Sequence, residues 1–228
     1  MVAETIKGKP LKGGEFIIKD ATPENTFIPE DFNEEQRMIN QMVLDFVESI
    51  GEKGGKLEYQ VALMDQAAEL GLLGSHIPEK NGGMPLDTTS NTIISEVMGR
   101  VEGGFSTTFA AHTGIGTLPI LYYGTEAQKE KYLPGLADGT LKASYCLTEP
   151  SSGSDALAAK TTATLSEDGK HWVLNGQKMW ITNAGFADIF IVFAKIDGKD
   201  FTGFIVEKDS EGFSLGAEEE KMGIKGSS

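Results

Sequence analysis

Between positions 33 and 50 the apolar residues Met38, Ile39, Met42, Val43, Phe46, Val47 and Ile50 recur at intervals of three and four. That spacing predicts one amphipathic stripe on an α-helix. Asn33 is placed to cap it, with Gln36 three residues on to complete a capping box. A second stripe runs through Leu57, Val61, Met64 and Ala68, with Gly71 positioned as its stop. The pattern predicts a third helix over 88–102, closed by Gly103-Gly104, and a further apolar stretch over 106–123. Thr125 and Gln128 repeat the capping-box spacing and open a helix towards Ala137. Residues 1–30 carry no comparable pattern and read as an arm.

After Gly139 the period shortens. Segments 160–166, 170–174 and 177–182 read as strands, joined by Asp168-Gly169 and Asn175-Gly176, both hairpin signals. Two more, 189–195 and 201–208, flank Asp197-Gly198. Helices followed by antiparallel strands imply two modules with a boundary near Thr140.

Composition narrows the partners more than the fold. Twenty basic residues against 34 acidic give a net charge of −14, which excludes broad nucleic-acid binding. A phosphate-bearing ligand must therefore be held by local groups rather than by the overall field. No apolar run approaches the roughly 20 residues of a membrane span, and no signal-peptide pattern follows Met1. With a single cysteine, Cys146, a reducing compartment is expected. His76, His112 and His171 are scattered without metal-site spacing. Glu218-Glu-Glu220 reads as a solvated surface.

Two segments carry candidate chemistry. In Tyr145-Cys-Leu-Thr-Glu-Pro-Ser-Ser-Gly-Ser-Asp155 a strand-like entry meets a loop of small donors, which lets backbone N–H groups approach a phosphate or a flavin. The same composition also describes an ordinary turn. In Asn175-Gly-Gln-Lys-Met-Trp-Ile-Thr-Asn183, read as a strand, Trp180 and Thr182 fall on one face and Ile181 on the other. Such a face suits a flat ring with a polar edge, or a core tryptophan beside a surface threonine.

Together the segments resemble the acyl-CoA dehydrogenase family. Cys146-Leu-Thr-Glu-Pro-Ser-Ser-Gly-Ser-Asp-Ala-Leu-Ala158 is similar to its first signature and Asn-Gly-Gln-Lys-Met-Trp-Ile-Thr-Asn183 to its second flavin segment. Lys221-Met-Gly-Ile-Lys-Gly226 resembles the close of its middle β region. The resemblance implies an α+β fold: an all-helical domain over 31–140 behind the arm 1–30, then an antiparallel, barrel-like β domain over 141–228. The family's C-terminal four-helix domain, with its catalytic Glu, has no counterpart within these 228 residues, so the chain alone is expected to be inactive.

By motif, the resemblance implies that Tyr145, Cys146, Leu147 and Thr148 line flavin adenine dinucleotide (FAD). Gly153 and Ser154 would serve its phosphate region, Ser154 also meeting the acyl-CoA. Trp180, Ile181 and Thr182 would cover the isoalloxazine, Thr182 near the nitrogen that accepts hydride. The implied reaction is α,β-dehydrogenation of an acyl-CoA to a trans-2-enoyl-CoA in fatty-acid β-oxidation. Electron-transfer flavoprotein would reoxidise the cofactor, and the complete protein would be a bacterial, cytoplasmic homodimer or homotetramer. Resemblance to the very-long-chain branch rests on Lys12-Gly-Gly-Glu-Phe-Ile-Ile, Pro29-Glu-Asp-Phe, Leu147 to Ala156 and Ala187-Asp-Ile-Phe190. Small Thr107 and Ala111, aligned with the pocket floor, imply room for long acyl chains. Cys146 reads as a space-filler, and Glu149 is rejected as the base because the family's base lies in the C-terminal domain. The connector between Glu48 and Leu57, with Gly51 and Gly54-Gly55, is shorter than in relatives. Two other readings stand beside this one: a stand-alone flavin- or acyl-CoA-binding module, and a flavin oxidase or monooxygenase on the same scaffold.

Overall fold

Helix α1, Glu34–Ile50, starts where the capping pair predicts. Asn33 Oδ1 accepts the Gln36 N–H at 2.8 Å and Gln36 Oε1 accepts the Asn33 N–H at 3.1 Å. The computed structural model describes residues 8–50 and 56–228, so the glycines of the short connector lie outside the described residues. The buried face of α1 is Ile39, Val43, Phe46 and Ile50, whereas Met38 projects into solvent. Helix α2, Leu57–Glu69, buries Gln60, Leu63, Met64 and Ala67, a face that shares only Met64 with the expected stripe. Helix α3, Thr88–Met98, is capped by Asp87, which accepts the Ser90 N–H.

The glycine pair expected to end α3 instead begins α4, Gly103–Ala110, with Glu102 capping it. Close approach explains these glycines better than helix termination: a Cβ on Gly104 would stand 2.7 Å from the Cα of Gly226. A π-helical turn, Ala111–Gly116, follows. Its last residue lacks a side chain where a Cβ would meet that of Ala143 at 2.7 Å. Helices α5, Leu118–Tyr123, and α6, Glu126–Asp138, complete the module, with Thr125 and Gln128 forming the expected capping box.

The β module differs from expectation. It is a mixed five-stranded sheet, not an antiparallel barrel. The strands are β1 (Ala143–Cys146), β2 (Thr162–Leu165), β3 (Trp172–Asn175), β4 (Ile189–Ile196) and β5 (Asp200–Glu207). β5 runs antiparallel along all of β4, through a turn in which Asp197 and Gly198 both have positive φ, as a primed hairpin requires. The opposite edge of β4 is shared by two parallel strands: β1 pairs with Ile189 to Val192, and β2 with Lys195 and Ile196. β3 pairs antiparallel with β2 through the Asp168-Gly169 turn. Hairpin signals alone miss parallel pairing, because it joins segments distant in sequence.

One apolar core lies among α1–α4. A second joins both modules, placing Tyr132, Leu133, Leu136 and Ala137 of α6 against Ala143, Ile189 and Ile191 of the sheet. A third, smaller one gathers Cys146, Ala187, Phe190 and Val192.

Candidate functional site

Because β1 and β2 share one edge of β4, the chain must leave that edge at Leu147 and return at Thr162. The excursion, 147–161, carries the first signature segment from Leu147 onward, its Cys146 being the last residue of β1. Glu149 organises it from within. Its carboxylate accepts N–H groups of Lys160 at 2.6 Å and Thr161 at 3.0 Å, the Thr161 hydroxyl, and the Lys178 ammonium at 2.7 Å. The Glu149 and Lys178 side chains are only 3% and 9% exposed. Burial alone would raise the Glu149 carboxyl, but the Lys178, Thr161 and backbone bonds outweigh it and hold it at about 2. A carboxylate so engaged is a structural anion, not a proton acceptor.

Lys178 carries this tie into the second segment. Its ammonium also donates to the Leu147 carbonyl at 3.1 Å, and the Met179 N–H donates to the Thr148 carbonyl at 3.0 Å. The segment 177–182 is therefore not a strand, as its alternation suggested. Its partner is a loop, and Trp180 (φ 57°) and Asn183 (φ 71°) adopt left-handed backbone that a strand excludes. That conformation costs a bulky residue roughly 1–2 kcal/mol, and it turns the Trp180 ring outwards, 70% exposed. The far end is also pinned. Ser144 Oγ donates to the Thr182 carbonyl at 2.6 Å, and the buried Asn183 amide donates to the carbonyls of Thr108 and Ala143.

His112, fully buried in the π-helical turn, sets the floor of this region. Its Nδ1 accepts the Ala143 N–H at 3.1 Å, which places the ring proton on Nε2, facing the Leu136 carbonyl at 3.0 Å. Burial, reinforced by the Lys142 charge, pushes the imidazole down to about 4. His112 is thus a neutral bracket between α6 and β1. Among the described residues no group of three or more His, Cys, Asp or Glu is placed to hold a metal.

A model of the acyl-CoA dehydrogenase N-terminal domain matches residues 33–140, and one of the middle domain of the same family matches 144–228. The chain belongs to the acyl-CoA dehydrogenase family. It is 52% identical over 223 residues to a Bacillus subtilis protein described as "Probable acyl-CoA dehydrogenase", covering 95% of this chain and 37% of that protein. Human mitochondrial very long-chain specific acyl-CoA dehydrogenase is 41% identical over 215 residues, covering 87% of this chain and 33% of that protein. Among solved structures, an acyl-CoA dehydrogenase complexed with FAD from Bacillus anthracis superposes with a TM-score of 0.87 at 51% identity, over 96% of this chain and 38% of that one. The chain thus spans about a third of the length of these relatives.

Within this acyl-CoA dehydrogenase fold the expected site residues divide by exposure. Leu147, Thr148 and Thr182 are half-buried beside the tie, while Gly153 and Ser154 lie exposed on the excursion. Among the described residues neither the Thr148 nor the Thr182 hydroxyl has a protein partner. A Cβ on Gly153 would meet nothing within 4 Å, so the loop surface there is open. Tyr145 is half-buried, its ring 5.1 Å from that of Phe193. The Cys146 side chain faces the third core, where burial pushes the thiol up to about 12, so only its backbone is available to a ligand. Ile181 packs against the same core. Thr107 and Ala111 stand one turn apart at the α4–π junction, Thr107 half-buried with its hydroxyl bonded to the Gly103 carbonyl and Ala111 buried. Sequence reasoning passed over Lys178, Ser144, Asn183 and His112. Their partners lie 24 to 75 positions away, and no local pattern signals them.

Proposed function

We propose that this chain provides the flavin-holding face of an acyl-CoA dehydrogenase. The observation that carries this reading is Trp180, an exposed indole on strained backbone beside two threonine hydroxyls that have no partner among the described residues. FAD fits this surface. The indole offers a flat contact, Thr148 and Thr182 offer hydroxyls to a polar ring edge, and the open backbone at Gly153 and Ser154 suits a phosphate region. When bound, FAD supplies the hydride acceptor for oxidation of an acyl-CoA at its α and β carbons. This chain's residues orient the ring and exclude water from one face, and Glu149, tied to Lys178 and Thr161, serves as a structural anion rather than as the base. Support for acyl-CoA substrates comes from the family and its relatives. The preference for long chains draws on the small pair Thr107 and Ala111 and on the very-long-chain relatives. Electron-transfer flavoprotein as acceptor, a homodimer or homotetramer for the complete protein, and a bacterial cytoplasmic setting follow from the same reading. Among the described residues no helix is long and apolar enough to cross a membrane.

FAD titration of the chain, followed by flavin absorption and fluorescence, tests the reading. Saturable binding is expected, weakened about 2- to 12-fold in Trp180→Ala and in Thr182→Val, the equivalent of ~0.5–1.5 kcal/mol each. An absence of saturable binding, or equal affinity in the parent and both variants, would overturn it.

A further inference from the structure

The strain at Trp180 needs something to hold it, and the sheet does not. Among the described residues the chain between β3 and β4 makes no strand pairing, so the four residues Met179 to Thr182 run between two side-chain anchors. Ser144 and Asn183 form the anchor after them. Lys178 forms the one before, and among the described residues its ammonium bonds the Leu147 carbonyl and Glu149. Glu149 in turn gathers the backbone of Lys160 and Thr161. One buried carboxylate therefore ties three stretches of chain together, beside Thr148 on one stretch and two residues before Trp180 on another. Neither Glu149 nor Lys178 is exposed enough to contact a ligand broadly.

We propose that Glu149 and Lys178 are a positioning pair. They lock the Thr148 segment against the Trp180–Thr182 segment so that the flavin face is formed before the ligand arrives. This rests on the flavin reading above. Its physical basis is preorganisation: a face assembled in advance loses less conformational freedom on binding. Being buried, the pair is little screened, so its effect should persist at high ionic strength. A lysine-to-arginine exchange keeps the charge, whereas methionine keeps only the apolar stem.

The test uses Lys178→Met, Glu149→Gln and Lys178→Arg in the full chain, well below each variant's melting temperature. Two quantities are measured: amide exchange at Met179, whose N–H bonds Thr148, and FAD affinity with the absorption band shape of bound flavin. In Lys178→Met the Met179 amide should exchange faster, FAD should bind about tenfold or more weakly, and the band shape should move towards that of free flavin. Lys178→Arg should stay within about threefold of the parent. Should Lys178→Met fail to fold, Glu149→Gln carries the same expectations. Unchanged Met179 exchange would overturn the tie. Faster exchange with parent-like FAD affinity and band shape would overturn the positioning role while leaving the flavin reading intact. A loss in Lys178→Arg equal to that in Lys178→Met would show that charge is not what holds the segments. No FAD binding by the parent would overturn the flavin reading and the positioning role together.

Discussion

At the residue scale the buried polar groups do the positioning, and each has a consequence that solution measurements reach. His112 is the clearest. Its imidazole sits at about 4 in the fold, against about 6.5 when unfolded. The unfolded chain therefore binds more protons between these values. Stability from this group is fully present above about pH 6.5 and is lost as pH falls towards 4. Chemical denaturation at pH 7.5 and 4.5 should show the parent losing about 2–3 kcal/mol more than His112→Gln over that interval. Equal losses would mean that the imidazole titrates normally in the fold. Glu149, held at about 2, follows the same sign at lower pH: its contribution is present above its unfolded value and disappears only in strong acid. Asn183 and Ser144 carry no ionisable group. Their role is read in the backbone they pin.

At the scale of elements, glycines separate the parts of the loops that are packed from the parts that are offered. A Cβ on Gly176 would stand 2.6 Å from the Cβ of Thr161, the residue that Glu149 holds. A Cβ on Gly153 would meet open space. Gly176→Ala should therefore cost about 1–3 kcal/mol in thermal or denaturant unfolding, whereas Gly153→Ala should leave stability within about 0.5 kcal/mol. If the backbone at Gly153 meets a phosphate closely, as proposed, Gly153→Ala should still weaken FAD binding. Parent-like affinity in that variant would remove this loop from the site. The elements also mark where local patterns mislead. Capping boxes at Asn33 and Thr125 appear as their spacing predicts, because both partners lie within four residues. The glycine pair at 103–104 opens a helix instead of closing one, because Gly226, more than a hundred residues on, packs against it.

At the scale of the whole molecule, two modules with different periods share one core. Leu133 and Leu136 of α6 pack with Ile189 and Ile191 of β4. Tyr132 reaches Glu207 at 2.8 Å, Lys142 reaches Asp65 at 2.8 Å, and Asn183 reaches the Thr108 carbonyl at 3.0 Å. Unfolding should accordingly be a single transition. Both tryptophans, Trp172 and Trp180, lie in the β module, so their fluorescence follows that module while helical circular dichroism follows the other. The two signals should coincide in the parent. Both midpoints should fall together in Leu133→Ala, by the equivalent of about 2–5 kcal/mol. Two resolved transitions would show that the shared core does not couple the modules.

Sequence by itself determined the features that short-range physics controls: the helical stripe of α1, two capping boxes, the hairpin turns at Asp168-Gly169 and Asp197-Gly198, and the change of period after Gly139. Its two signature segments were also enough to identify the family. Tertiary structure decided what depends on distant partners. Parallel pairing of β1 and β2 on one edge of β4 makes the sheet mixed and throws the first signature out as a loop. The second signature, which alternates like a strand, becomes a pinned and strained loop because Lys178, Ser144 and Asn183 find partners far along the chain. The same-face argument for Trp180 and Thr182 fails with the strand it assumed. What replaces it is an indole held outwards by a buried ion pair, an arrangement that arises only where three separate stretches of chain meet.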